Sequence, residues 1–106
     1  MLVAFVLAFA AQAADPAAGQ VAYAANCTAC HGKLGDGKGP AAVALKPKPT
    51  DFTAAAWWTP ERTDAALAAV IRTGKAGTGM SGFTQFSDAD VANLVGYLRT
   101  LAPAAP

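Results

Sequence analysis

The sequence is poor in the side chains from which multi-site metal and redox proteins are usually built. Its 106 residues hold one histidine, two cysteines and two methionines. A single histidine excludes any site built on a pair of imidazoles. Two cysteines and one histidine make three zinc ligands, so a tetrahedral zinc site would have to recruit a carboxylate. Charge is scarce as well: eight Lys and Arg stand against seven Asp and Glu, for a net charge of +1. There is no basic surplus of the kind that marks a nucleic-acid-binding chain. No run reads convincingly as a β-strand, which removes the βαβ setting expected of a thioredoxin-like dithiol. No internal repeat is visible, and the length allows one domain at most.

What chemistry there is lies concentrated. Both cysteines and the only histidine fall in Cys27-Thr28-Ala29-Cys30-His31, a C-x-x-C-H run that reads as a covalent haem attachment site. Two cysteines three apart fall on one face of a helical turn, where their sulfurs can form thioethers to two vinyl groups on one edge of a haem. His31 then comes under the iron and offers a neutral imidazole as axial ligand. A dithiol, a zinc site and a structural disulfide compete for the same residues. The disulfide suits an exported protein but leaves the adjacent histidine without a task.

The chain opens on ten apolar residues, Met1 to Ala10, followed by Ala11-Gln12-Ala13. This is the pattern of a secretory signal peptide over residues 1–13, cut before Ala14. It is too short for a comfortable transmembrane helix. No Lys or Arg precedes the run, so retention as a membrane anchor is the alternative. The expected product is one exported, periplasmic domain over residues 14–106. So short and alanine-rich a domain is marginal for a self-sufficient core, a shortage that a large apolar cofactor would repair.

Asp15-Pro16 reads as an N-cap with proline at the first helical position, opening a helix to about Asn26. Gly32 to Gly39 is glycine-rich and resembles a phosphate loop. However, Gly39 stands where Ser or Thr is required and no strand precedes the run; a flexible surface loop is expected instead. Pro40 opens a short turn, and Pro47 and Pro49 force an extended path. Residues 50–58 are irregular, with Phe52, Trp57 and Trp58 as bulk. Thr63-Asp64 caps a second long helix with Leu67, Val70 and Ile71 on one face, stopped at Gly74. Ser87 and Asp90 approximate a capping box for a last helix whose stripe is Val91, Leu94, Val95, Leu98 and Leu101.

Between these two helices lies Met80, the only methionine left once residues 1–13 are removed. Its thioether is the candidate for the second axial position. Such His/Met ligation raises the reduction potential and closes the iron to small molecules. A methionine packed as soft filler is the plainer alternative. Lys33, Lys38, Lys46 and Lys48 face a single Asp36 over residues 33–48, so lysines near the attachment run could meet acidic partner surfaces. An ordinary solvated loop explains them equally.

Together these residues resemble the class I c-type cytochromes, the small monohaem electron carriers. The resemblance covers nearly all of residues 14–106 and is most specific at Cys27, Cys30 and His31. It implies an all-α cytochrome c fold, three to four short helices around one haem c bound covalently through Cys27 and Cys30. It assigns Pro40 a backbone carbonyl that accepts a hydrogen bond from His31. Met80 with Phe83 is similar to the family's methionine loop, although Ser81 stands where many members carry proline. Gly19 and Tyr23 resemble the first-helix face that crosses Leu94 and Tyr97 on the last helix. Trp57 or Trp58 is similar to a tryptophan that hydrogen-bonds a haem propionate, the alternative being apolar cover. The implied function is one-electron transfer between larger redox proteins acting as donor and acceptor, without enzymatic activity and as a monomer by default. Two other readings stand beside it: a haem-based gas sensor or haem enzyme with a labile sixth ligand, and a membrane-tethered cytochrome subunit of a respiratory complex.

Overall fold

The computed structural model describes residues 14–103; the expected signal segment lies outside them. Helix α1 (Pro16–Asn26) begins where Asp15 Oδ1 accepts the backbone N–H groups of Ala17 at 3.0 Å and Ala18 at 3.3 Å, satisfying two of the orphan donors of the first turn. It breaks at Cys27 and continues at once as the four-residue α2 (Thr28–His31). Two 3₁₀ turns follow, Ala42–Ala44 and Ala55–Trp57. Thr63 caps α3 (Asp64–Thr73), and a complete Ser87–Asp90 capping box opens α4 (Asp88–Leu101). Among the described residues the only β pairing is one isolated bridge, Gly74 to Ser81. The fold is all-α, as expected.

Three of the helices meet on one core: Tyr23 from α1, Leu67 and Ile71 from α3, and Val91, Leu94, Val95 and Leu98 from α4, with Phe52 from the central loop. The apolar stripes read from the sequence account for the six members on α3 and α4, and Tyr23 is the α1 residue that the resemblance sets against the last helix. Val70 and Leu101, on the same stripes, are only half-buried.

The α1·α4 crossing depends on Gly19. A Cβ there would collide with the Asn93 carbonyl and come within 2.9 Å of Tyr97 Cβ, so only glycine lets the two backbones approach this closely. Just beside it, Asp15 N–H donates to Asn93 Oδ1 at 2.8 Å. One turn on, the Tyr23 and Tyr97 rings lie 5.1 Å apart. The crossing therefore sets the position of α1, and α1 leads directly into the C-x-x-C-H turn.

Candidate functional site

Helix α2 has only four residues, and a helix this short leaves every one of its carbonyls without a helical partner. The glycine-rich stretch supplies the partners. Gly32 N–H donates to Thr28, Ala41 to Ala29, Gly39 to Cys30 and Gly37 to His31, at 3.0, 2.8, 3.1 and 2.8 Å. The expectation of a flexible surface loop is corrected here: Gly32, Gly35, Gly37 and Gly39 are buried. The stretch lies flat on the backbone of the attachment turn. At Gly39 a Cβ would stand 2.5 Å from the Thr28 carbonyl oxygen and closer still to that of Ala29. From the other side, the Tyr23 hydroxyl donates to the Gly32 carbonyl at 2.6 Å.

His31 is fixed by its ring as well as by its backbone. Nδ1 lies 3.2 Å from the Thr50 carbonyl oxygen. A carbonyl only accepts, so Nδ1 carries the proton and the Nε2 lone pair is left free. Burial holds the imidazole below its ordinary pKa, partly offset by the Thr50 carbonyl, so the ring is neutral. Its face packs on Phe52, with ring centroids 4.8 Å apart.

Beside this ring is a cavity of about 360 Å³, within the size range of cofactor pockets. Its walls come from three separate stretches: Cys27, Cys30 and His31 from the attachment turn; Leu45, Pro47, Pro49 and Thr50 from the proline segment; and Thr78, Met80 and Phe83 from the loop before α4. Both cysteines are free and half-buried. Burial, reinforced by Cys30 nearby, pushes the Cys27 thiol up to about 11. Met80 is held at both ends of its peptide unit: its N–H donates to Thr78 Oγ1 at 3.1 Å and its carbonyl accepts from Lys75 N–H at 3.1 Å.

This donor set fits haem c. Two thiols, an imidazole with a free Nε2 and a thioether border one largely apolar cavity. It does not fit the competing readings. No group of three or more His, Cys, Asp or Glu side chains among the described residues converges to hold a metal ion, and the βαβ surround of a redox dithiol is missing. Residues 14–98 match the family described as cytochrome c oxidase, cbb3-type, subunit III.

The chain belongs to this family of c-type cytochrome domains.

A similar fold is found in a chain of the reducing HAO-like protein complex of Kuenenia stuttgartiensis. There the TM-score is 0.73 and the identity 25%, over 80% of this cytochrome and 41% of that chain. The cytochrome thus spans about two-fifths of the solved chain it matches. No curated protein matches it significantly.

The structure places two of the expected cofactor contacts outside the cavity lining. Pro40 is exposed and outside the cavity lining. The carbonyl that meets the His31 ring belongs to Thr50, in the segment that follows Pro49 and lines the cavity with it. Neither tryptophan lines the cavity. Trp58 Nε1–H donates to the Phe52 carbonyl at 2.8 Å, and Trp57 meets Phe52 edge-on at 5.3 Å with the Arg62 guanidinium over its ring. Both indoles pack against Phe52, the ring on which His31 rests. Thr50 and Leu45 are lining residues that sequence reasoning missed. A backbone acceptor such as that of Thr50 leaves no mark on residue type, so no sequence signal could have found it.

Proposed function

We propose that this cytochrome domain is an exported, monomeric one-electron carrier. Its single haem c would be attached through Cys27 and Cys30, with His31 Nε2 and the Met80 sulfur as axial ligands. The observation that carries the reading is the convergence of these four side chains, from two stretches some fifty residues apart, on one cavity. Haem c supplies a one-electron Fe(III)/Fe(II) couple when bound. The chain's residues do the rest by holding still. Thr50 and Phe52 keep the imidazole in one tautomer and one plane. Leu45, Pro47, Pro49 and Phe83 give the cavity its apolar walls. The bonds at Thr78 and Lys75 hold the Met80 peptide. With Met80 as the second ligand the iron would offer no site to a substrate, which favours a carrier over an enzyme.

A second reading has an observation of its own. The family is described by an oxidase subunit, and the structural neighbour belongs to a reducing HAO-like protein complex, in a chain of which the match covers 41%. On this reading the domain delivers electrons inside an assembly. No helix among the described residues is long and apolar enough to cross a membrane, so any tether would have to come from elsewhere.

The test is an optical spectrum of protein matured in an exporting host, taken oxidised, reduced and reduced under carbon monoxide. A covalent low-spin haem indifferent to the gas is expected. Ready uptake of the gas would remove Met80 as a firm ligand and move the reading to a sensor or enzyme. Absence of covalent haem would overturn it altogether. Membrane fractionation and gel filtration separate the free carrier from the assembled subunit.

A further inference from the structure

The cavity lining contains two lysines, Lys48 and Lys75, and no aspartate or glutamate. Both lysines are exposed on the protein surface and neither has an acidic partner. The only ion pairs among the described residues are Arg72–Asp88 and Arg99–Asp64, on the α3·α4 side of the molecule. The neutral polar side chains of the lining are partly committed already. Asn26 Nδ2 donates to the Ala22 carbonyl, and Thr78 Oγ1 bonds both Lys75 and Met80. The indole expected to meet a propionate is turned to Phe52 instead. A haem c brings two carboxylates into whatever cavity holds it. Two unpaired cations and no anions are the wall such a group requires.

We propose that Lys48 and Lys75 are the counter-ions of the two haem propionates; this rests on the haem reading above. Each lysine is also coupled through a few bonds to one axial position. Lys48 stands two residues before Thr50, whose carbonyl orients His31. Lys75 N–H donates to the Met80 carbonyl itself. Pairing with the propionates would therefore fasten both the proline segment and the methionine loop, making the lysines positioning residues for both sides of the site. It also sets a sign. An uncompensated carboxylate beside the cofactor favours the more positive, oxidised form, and an ammonium next to it cancels that field. Removing either lysine stabilises the oxidised form and lowers the potential.

The test uses holoprotein with its haem attached: wild type, K48M, K75M, the double variant, and K33M as an exposed lysine outside the lining. Spectroelectrochemical titration at low and high salt reads the oxidation equilibrium, and resonance Raman reads the propionate bending modes. Each cavity variant is expected to shift the equilibrium about three- to tenfold toward the oxidised form, tenfold being 59 mV for one electron. The shift should persist at high salt, approach a sum in the double variant and be restored in K48R and K75R. The propionate modes should move with it, while K33M stays near wild type. Shifts no larger than that of K33M, with unmoved propionate modes, would overturn the proposal. A change confined to a slower rate with an acidic redox partner would overturn it too, for then the lysines serve a docking face. Wild-type protein without covalent haem would instead overturn the functional reading on which the proposal rests.

Discussion

On the His31 side of the cavity, four consecutive carbonyls of α2 accept N–H groups from the glycine stretch and Ala41. The ring nitrogen reaches Thr50, 19 residues away. On the Met80 side the bonds are local. Lys75 with Met80, Thr78 with Lys75 and Met80 with Thr78 all close within one turn, and only Phe83 N–H reaches out of it, to the Ile71 carbonyl at 2.8 Å. The histidine is thus placed by the tertiary fold, through Gly19, Tyr23 and the α1·α4 crossing. The methionine is placed by a self-bonded loop hung between α3 and α4. Side chains of such unequal anchorage, proposed above as the two haem ligands, should respond unequally to damage, because a local turn opens at a smaller free-energy cost than the core does.

The largest effect expected is a contrast between the two ligand deletions. His31→Ala should abolish the low-spin spectrum and impair maturation with haem. Met80→Ala should retain covalent haem, visible on a denaturing gel, while gaining carbon monoxide binding and a lower potential. Equal loss of haem in both would break the asymmetry.

A substitution far from the cavity should act on the histidine side alone. Gly19→Val drives a branched side chain into the Asn93 carbonyl and Tyr97 and should cost about 3 kcal/mol, the upper end of ordinary overpacking. Chemical denaturation of the holoprotein measures it. In partially destabilising urea, haem-linked signals from His31 should change before those from Met80 only if the crossing does hold the attachment turn.

Tyr23→Phe is the next step down. Its hydroxyl is the buried link between α1 and the Gly32 carbonyl, which also accepts the Gly35 N–H at 3.1 Å, so losing the hydroxyl should cost roughly 1.5 kcal/mol, the upper end of the net worth of one hydrogen bond. Burial first, and then nearby Cys27, raise the tyrosine well above its ordinary value of 10.0. The folded state therefore holds the phenolic proton more tightly than the unfolded one. The contribution is fully present below pH 10 and declines as the pH rises beyond it. Denaturation profiles across that range should show an alkaline loss of stability in the wild type that is reduced in Tyr23→Phe.

The difference in anchorage also explains what could be read from the chain alone. Caps and stripes are side-chain signals, so Asp15, Thr63, Ser87, Leu94 and their neighbours placed the helices correctly. The attachment run and Met80 stand out because so few residues of their types exist. The carbonyl facing His31 was invisible because any residue could supply it, and the proline segment alone decides that it is Thr50 rather than Pro40. The glycines after His31 were misread because glycine marks a mobile loop and a close backbone approach alike; only the orphan carbonyls of so short a helix distinguish them. Trp57 and Trp58 are ambiguous for a similar reason, since an indole serves as a hydrogen-bond donor or as cover; in the structure both pack on Phe52 and Trp58 also donates to its carbonyl.

The smallest expected effect sharpens the comparison most. Thr78→Ala removes the acceptor of Met80 N–H and the donor to the Lys75 carbonyl and touches nothing on the His31 side. Global stability should fall by only about 0.5–1.5 kcal/mol, the net worth of one or two exposed bonds. If Met80 is held by its own loop, the loss should appear instead as faster carbon monoxide entry into the reduced protein, with the covalent haem unchanged. Thr78→Ser, which keeps the hydroxyl, should behave as wild type. Unchanged gas kinetics in Thr78→Ala would mean that the methionine loop draws its order from the core through Phe83, and the two sides of the cavity would then be anchored alike.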